Sequence, residues 1–308
     1  MNSFSAVATP KFLLPIIAVL LVFTSCEDVI DVGLPEPETR LVINGVVRVD
    51  ENQEFLPIEI RVTESSGFFG ENTITQLESA VILAGVRDSL EPTQFQLGTS
   101  ILREYVPGTG IYEPDTIGND VDDRIRTASI NENTIFFLVV EHKGRRYAGQ
   151  TNYAPTVPID NLEQGTETLF DEDETEIVVT FTDVPDQQDF YVFDFGFGNF
   201  LATDDQFIDG QEFSFSYFYD EELQSGTELE ISILGADQQF FNYIDLLVEQ
   251  TENDGGVFET PAATVRGNMF DVTGLDNIEI FDNVGRPDSF ALGYFAVVQE
   301  FKRTIRID

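Results

Sequence analysis

Hydrophobic and polar positions alternate along much of this chain. Ile177, Val179 and Phe181 alternate with Glu176, Val178 and Thr180, and Leu229, Ile231 and Ile233 with Glu228, Glu230 and Ser232. Phe213, Phe215 and Tyr217 alternate in the same way with Ser214, Ser216 and Phe218. A period of two marks a strand with one face buried, so these runs predict an antiparallel sheet that is wet on one side. Leu41–Val47, Ile58–Val62, Ala80–Leu83 and Thr134–Val140 are shorter, continuous runs of β-branched and aromatic residues bounded by Gly, Pro and Asn, and these also read as strands. Leu292–Val298 and Phe301–Ile307 read as two closing strands. One segment departs from this period. Phe240, Phe241, Ile244, Leu247 and Val248 recur at helical spacing behind Asp237, a good cap, which predicts a helix near 237–251 that covers the sheet core. The prolines at 155 and 158 interrupt any ladder. The expected class is therefore mainly β, with two β-rich domains: an N-terminal β-sandwich over 40–155 and a C-terminal antiparallel β domain with one helix over 156–308.

The start of the chain follows another rule. Phe12–Phe23 is an apolar run too short for a bilayer core, which takes about 20 residues, and it suits the hydrophobic part of an export signal. Thr24 and Ser25 are small, and Cys26 is the single cysteine. This resembles a bacterial lipobox, which implies a lipoprotein signal peptide over 1–25 and a lipid on the Cys26 thiol. Two or more acyl chains anchor stably where one does not. Residues 26–39 are acidic and proline-broken and read as a tether. A secretory signal in which Cys26 is incidental, or a buried free cysteine, is the alternative.

Composition narrows the chemistry. With 56 acidic against 16 basic residues the net charge is -40, which argues against nucleic acid as a partner. No Lys or Arg lies between Tyr147 and Val265, a span rich in Asp and Glu. An acidic, lysine-poor surface suits high salt, where self-repulsion is screened. It also leaves open a hard divalent cation such as Ca2+ among carboxylate loops. Asp115, Asn119, Asp120, Asp122 and Asp123 form the densest oxygen-ligand loop, although they do not follow EF-hand spacing. A solvated surface loop is the other reading of that stretch. Zinc is disfavoured by one histidine and no free thiol, and no Gly-x-Ser-x-Gly elbow or phosphate-binding glycine loop occurs. His142 sits in an expected hairpin turn, His142-Lys143-Gly144-Arg145, and reads there as a solvated residue rather than a catalyst. Phe193, Phe195, Phe197 and Phe200, with Phe213 to Tyr219, read as sheet core, or else as an exposed apolar patch.

A run of short motifs then carries a resemblance. Cys26-Glu27 is followed by Arg40-Leu41-Val42-Ile43-Asn44-Gly45, Gly110-Ile111-Tyr112, Lys143-Gly144-Arg145-Arg146-Tyr147 and Asp186–Phe193. Tyr243, Phe258-Glu259-Thr260-Pro261, Arg266-Gly267-Asn268 and Leu292-Gly293-Tyr294-Phe295 complete the order. Together these resemble the Bacteroidota lipoprotein family known as domain of unknown function 4249, and the first half resembles the carboxypeptidase regulatory-like module, which implies an Ig/transthyretin-like sandwich. The resemblance implies that Glu27 and Asp28 direct the lipidated protein to the exterior face of the outer membrane. It further implies a non-catalytic accessory that binds or caps a solute for a TonB-dependent receptor, with no catalytic residue and no cofactor beyond the open Ca2+ question. A cell-surface adhesion or glycan-binding module is the alternative function.

Overall fold

The computed structural model describes residues 39–66, 73–87, 95–117, 122–170, 173–220, 223–252, 265–275 and 288–308. The expected signal peptide and the expected tether up to residue 38, with Cys26, Glu27 and Asp28, lie outside the described residues, as do Asn119 and Asp120. Residues Glu38–Asp308 gather into one compact unit.

Strand follows strand as the alternation dictates. In chain order these are β1 (Leu41–Val49), β2 (Ile60–Glu64), β3 (Thr73–Ile74), β4 (Ser79–Arg87), β5 (Phe95–Arg103), β6 (Ile111–Pro114), β7 (Ile135–His142) and β8 (Arg145–Ala154). Then come β9 (Ile159–Gln164), β10 (Thr175–Thr182), β11 (Phe190–Asp194), β12 (Phe200–Asp204), β13 (Glu212–Tyr219) and β14 (Glu228–Ala236). Helix α1 (Gln238–Glu252), β15 (Phe270–Asp271) and β16 (Leu292–Arg306) complete the described elements.

The first eight strands and β16 supply a sheet that closes on itself. Its order runs β16-β1-β2-β6-β5-β4-β7-β8, and β8 returns to pair with β16. Ile43, Val47, Ile60, Val62, Ile82, Phe136, Leu138 and Phe295 point inward and fill the interior. The β7–β8 connection is a two-residue turn in which Lys143 and Gly144 both have positive φ, 49° and 71°. That geometry matches the right-handed twist of the flanking strands. His142 is not solvated as its place beside the turn suggests. It ends β7 with its ring buried, Nδ1 lies 2.9 Å from the Gln76 carbonyl, and Nε2 lies 2.9 Å from Glu64 Oε1. Each ring nitrogen is thus held by a partner distant in the chain.

β9, β10 and β13 form a separate three-stranded sheet. It packs over β11 and β14 through a core of Ile177, Val179, Phe181, Tyr191, Phe193, Phe195, Tyr219, Ile231 and Ile233. Phe195 stacks on Tyr217 at 3.8 Å and Phe181 meets Tyr191 edge-on at 5.1 Å. The aromatic series is thus mostly core, with Phe213 and Phe215 half-buried against it and Phe197 exposed in a turn. Burial of each large ring contributes about 1.5–3 kcal/mol. Core membership changes between Tyr153 and Val157, across the proline-bearing segment.

Asp237 caps α1 as its side chain predicts, accepting from the Phe240 amide at 2.8 Å. Phe240 and Ile244 then cover Val192, Leu234, Tyr294, Ala296 and Val298. The sheet beneath the helix is consequently buried on both faces. β16 is one strand rather than the two expected. Gln299 and Glu300 look like a break in the pattern, yet both are buried and served: Gln299 accepts from the Thr156 amide at 2.8 Å, and Glu300 sits 3.3 Å from Arg48 and 3.7 Å from Lys302.

Two details hold the closure. β8 and β16 pair over only Tyr153–Val297 and Ala154–Val298. Beyond that short ladder the Asn268 side chain does the work of a strand: its Nδ2 donates to the Phe295 carbonyl at 2.7 Å and the Gln150 carbonyl at 3.1 Å, while its Oδ1 accepts from the Phe295 amide at 2.9 Å. Nearby, Gly293 has φ 85° and lies opposite Ile43 in β1, with Gly267 crossing close above it.

Candidate functional site

At the start of α1 lies a hollow of about 520 Å³ lined by Gln150, Thr151, Asn152, Asp237, Gln238, Gln239, Asn268 and Phe270. The end of β8 delivers Gln150 and Asn152, the first turn of the helix delivers Gln238 and Gln239, and β15 delivers the half-buried Phe270 ring. Asp237 and Asn268 are committed to structure through the cap and the seam. The carboxamides of Gln150, Asn152, Gln238 and Gln239 make no hydrogen bond within the described protein, which leaves four groups that each donate and accept. Among the described residues that line the hollow, Asp237 alone is charged, and none is a cation that would face an anionic guest. The chemistry therefore fits a neutral, hydroxyl-bearing solute that can lay an apolar face on Phe270. Sequence reasoning missed this set because Gln and Asn at strand and helix ends look like solvated surface. Only the fold brings residues 150 and 238 together.

A second polar feature is the corner where β10 ends and β12 turns toward β13. One carboxylate oxygen from each of Asp183, Asp205 and Asp209 lies within 4.8 Å of the others, with Asp183 and Asp205 buried. These are oxygen ligands of the type that a hard cation takes. Four of their six oxygens already accept a hydrogen bond from the surrounding protein. Asp183 accepts from the Tyr191 hydroxyl and from the Gly210 amide at 2.7 Å, Asp205 from the Asp189 amide at 3.0 Å, and Asp209 from the Asp186 amide at 2.9 Å. The carboxylates thus act as anchors for the turns. Burial, and after it the Asp183 and Asp205 charges, raises the Asp189 carboxyl above the usual range despite a bond from Gln187. A raised folded value means that the folded state holds this proton more tightly than the unfolded state. The contribution is favourable at acid pH and is lost as pH rises through the folded value. Asp189→Asn is therefore expected to raise the melting midpoint at pH 7 and to leave it unchanged near pH 3, in paired thermal melts.

The loop singled out by its oxygen density is differently arranged. Asp115 accepts from the Ile117 amide at 2.9 Å and lies 3.9 Å from Arg103, and its carbonyl accepts from the Asp123 amide at 3.2 Å. Asp122 is gripped by Arg124 through bonds of 2.8 and 2.7 Å, which hold its carboxyl down to about 2. Asp115 and Asp123 are brought together, and a cation at Asp122 competes with an arginine already in place. His142 has both nitrogens occupied, so it offers no free base to a serine.

Among the described residues, fold and site define a mainly β protein with a closed sheet, further strands and a capping helix. The chain belongs to the family described as domain of unknown function DUF4249, whose pattern matches residues 27–304. A comparison with curated proteins gives no match. Among solved structures, the chicken interferon gamma receptor alpha chain is similar over 65% of this chain and 89% of its own, at 10% identity and a TM-score of 0.17. That likeness carries no argument about function.

Proposed function

We propose that this is a non-catalytic surface lipoprotein of the Bacteroidota type, anchored in the outer membrane through lipid on Cys26 and facing the exterior. In this reading it is a solute-binding or capping accessory of a TonB-dependent transporter. The observation that carries it is the hollow of unpaired carboxamides at the head of α1, which supplies hydrogen bonds to a guest without the nucleophile or free base that turnover needs. The acidic surface fits an exposed, salt-bathed location, and Glu27-Asp28 after Cys26 fits export to the outer leaflet. The closed sheet of β1 to β8, completed by β16, takes the stabilising role of a carboxypeptidase regulatory-like module, and the segment from Pro155 onward presents the helix. Adhesion through a surface glycan is the second reading, favoured by the same carboxamides beside the Phe270 ring. A Ca2+ ion among the carboxylate loops is compatible with either.

Cys26→Ala is expected to move the protein from the membrane to the soluble fraction, and a variant that stays with the membrane would contradict the anchor. Detergent extraction of the wild type is expected to bring down a stoichiometric outer-membrane receptor. Repeated extraction without one, combined with retention on a glycan surface, would favour the adhesin.

A further inference from the structure

Farther along α1, between the helix and the sheet, lies a second cavity of about 340 Å³. Val46, Phe200 and Leu234 form its floor, Ile244 and Leu247 its roof, and the Tyr243 and Tyr294 rings line it as well. Close-packed interiors leave few voids larger than a water molecule, and about 300–1000 Å³ is the range of pockets that enclose small ligands. The space under α1 is partly open to solvent, and its volume lies at the lower end of that ligand range.

Its polar groups say what kind of guest fits. Tyr243 and Tyr294 lie with ring centroids 4.7 Å apart, and Tyr294 is 4% exposed. Neither hydroxyl makes a hydrogen bond within the described protein, and neither is among its buried polar atoms that lack a partner, so both stand open to water or to a guest. The one cation among the lining residues, Arg48, is spoken for by Asp194 at 2.7 Å and Glu300 at 3.3 Å. Two carboxylates on one guanidinium leave that side negative, so an anionic guest meets repulsion rather than a counter-charge.

We propose that this cavity is a binding site for a small uncharged apolar molecule, a single ring system or short chain carrying one hydrogen-bond acceptor that the Tyr243 and Tyr294 hydroxyls serve. The site is separate from the polar hollow and needs neither the lipid anchor nor a transporter partner.

The test uses prodan, a neutral naphthalene with one ketone, and the anionic anilinonaphthalene sulfonate, added separately to the purified mature protein. Prodan fluorescence is expected to rise saturably with one site per chain, and the sulfonate to bind at least about tenfold more weakly. Leu247→Trp, which fills the cavity, is expected to abolish prodan binding, with Val46→Phe from the facing wall replacing it if that variant fails to fold. The Tyr243→Phe, Tyr294→Phe pair is expected to weaken prodan about three- to tenfold, the size of one lost hydrogen bond. Absence of saturable prodan binding, equal or tighter binding of the sulfonate, or prodan binding unchanged in a folded cavity-filled variant would each overturn the proposal.

Discussion

Gly293→Ala is expected to unfold the protein or to lower its stability by about 4 kcal/mol or more, a large share of the about 5–15 kcal/mol that holds a typical domain together. Two costs combine at this residue. Its φ of 85° is a conformation that an L side chain adopts only with strain, and an added Cβ would overlap the Ile43 carbonyl oxygen of the neighbouring strand. Relief requires β1 and β16 to move apart, and these two strands share a parallel ladder running from Val42–Leu292 to Val49–Gln299. Gly144→Ala separates the two costs, because Gly144 also has positive φ but nothing lies within 4 Å of its added Cβ. That control is expected to lose only about 1 kcal/mol. Urea unfolding of both variants checks the argument, and equal losses would show that the close approach to Ile43 contributes nothing.

Asn268→Ala is expected to cost about 3–5 kcal/mol. The side chain is 6% exposed and completes three bonds across a seam that the backbone pairs over only two residue pairs. Removing it leaves the Phe295 amide and carbonyl and the Gln150 carbonyl without that partner, and each buried orphan costs about 1–3 kcal/mol. Asn268→Asp retains an acceptor for the Phe295 amide but turns a carboxylate toward two carbonyl oxygens, so it is expected to be at least as damaging. Native-state hydrogen exchange gives the more specific readout. Amides of β8 and β16 near Phe295 are expected to exchange faster while those of β9, β10 and β13 keep their protection. Uniform acceleration across all strands would instead mean that the seam has no local opening of its own.

Much of the fold was legible wherever its cause is local. Alternation at 177–181 and 229–233 marked the strands because inward residues there face one core. Asp237 marked the helix start because its own side chain makes the cap, and Lys143-Gly144 marked the hairpin because the turn demands positive φ. The misreadings share a different cause. Gln299 and Glu300 looked like a break between strands because their partners, Thr156 and Arg48, lie far away in the chain. His142 looked solvated because nothing near it in sequence announces Glu64 or the Gln76 carbonyl. β11 and β12 were hard to delimit, since Val192 faces the helix while Tyr191 and Phe193 face the other core, leaving no polar face to set a period. The hollow at the head of α1 was illegible for the same reason: residues 150–152 and 238–239 carry no shared pattern until the helix is laid on the sheet.

The β1–β16 ladder also bears on the order of events in the life of the chain. A strand beginning at Leu41 waits for a partner that is not made until residue 292 has been added. No closed sheet can exist on a nascent or partly translocated chain, and the long loop that must be shut makes completion slow by comparison with local hairpins. Until β16 arrives, the greasy interior of β1 to β8 stays open and available to whatever escorts unfolded chains. For the proposed exported lipoprotein, threaded outward before it folds, this topology withholds the closed sheet until β16 is delivered.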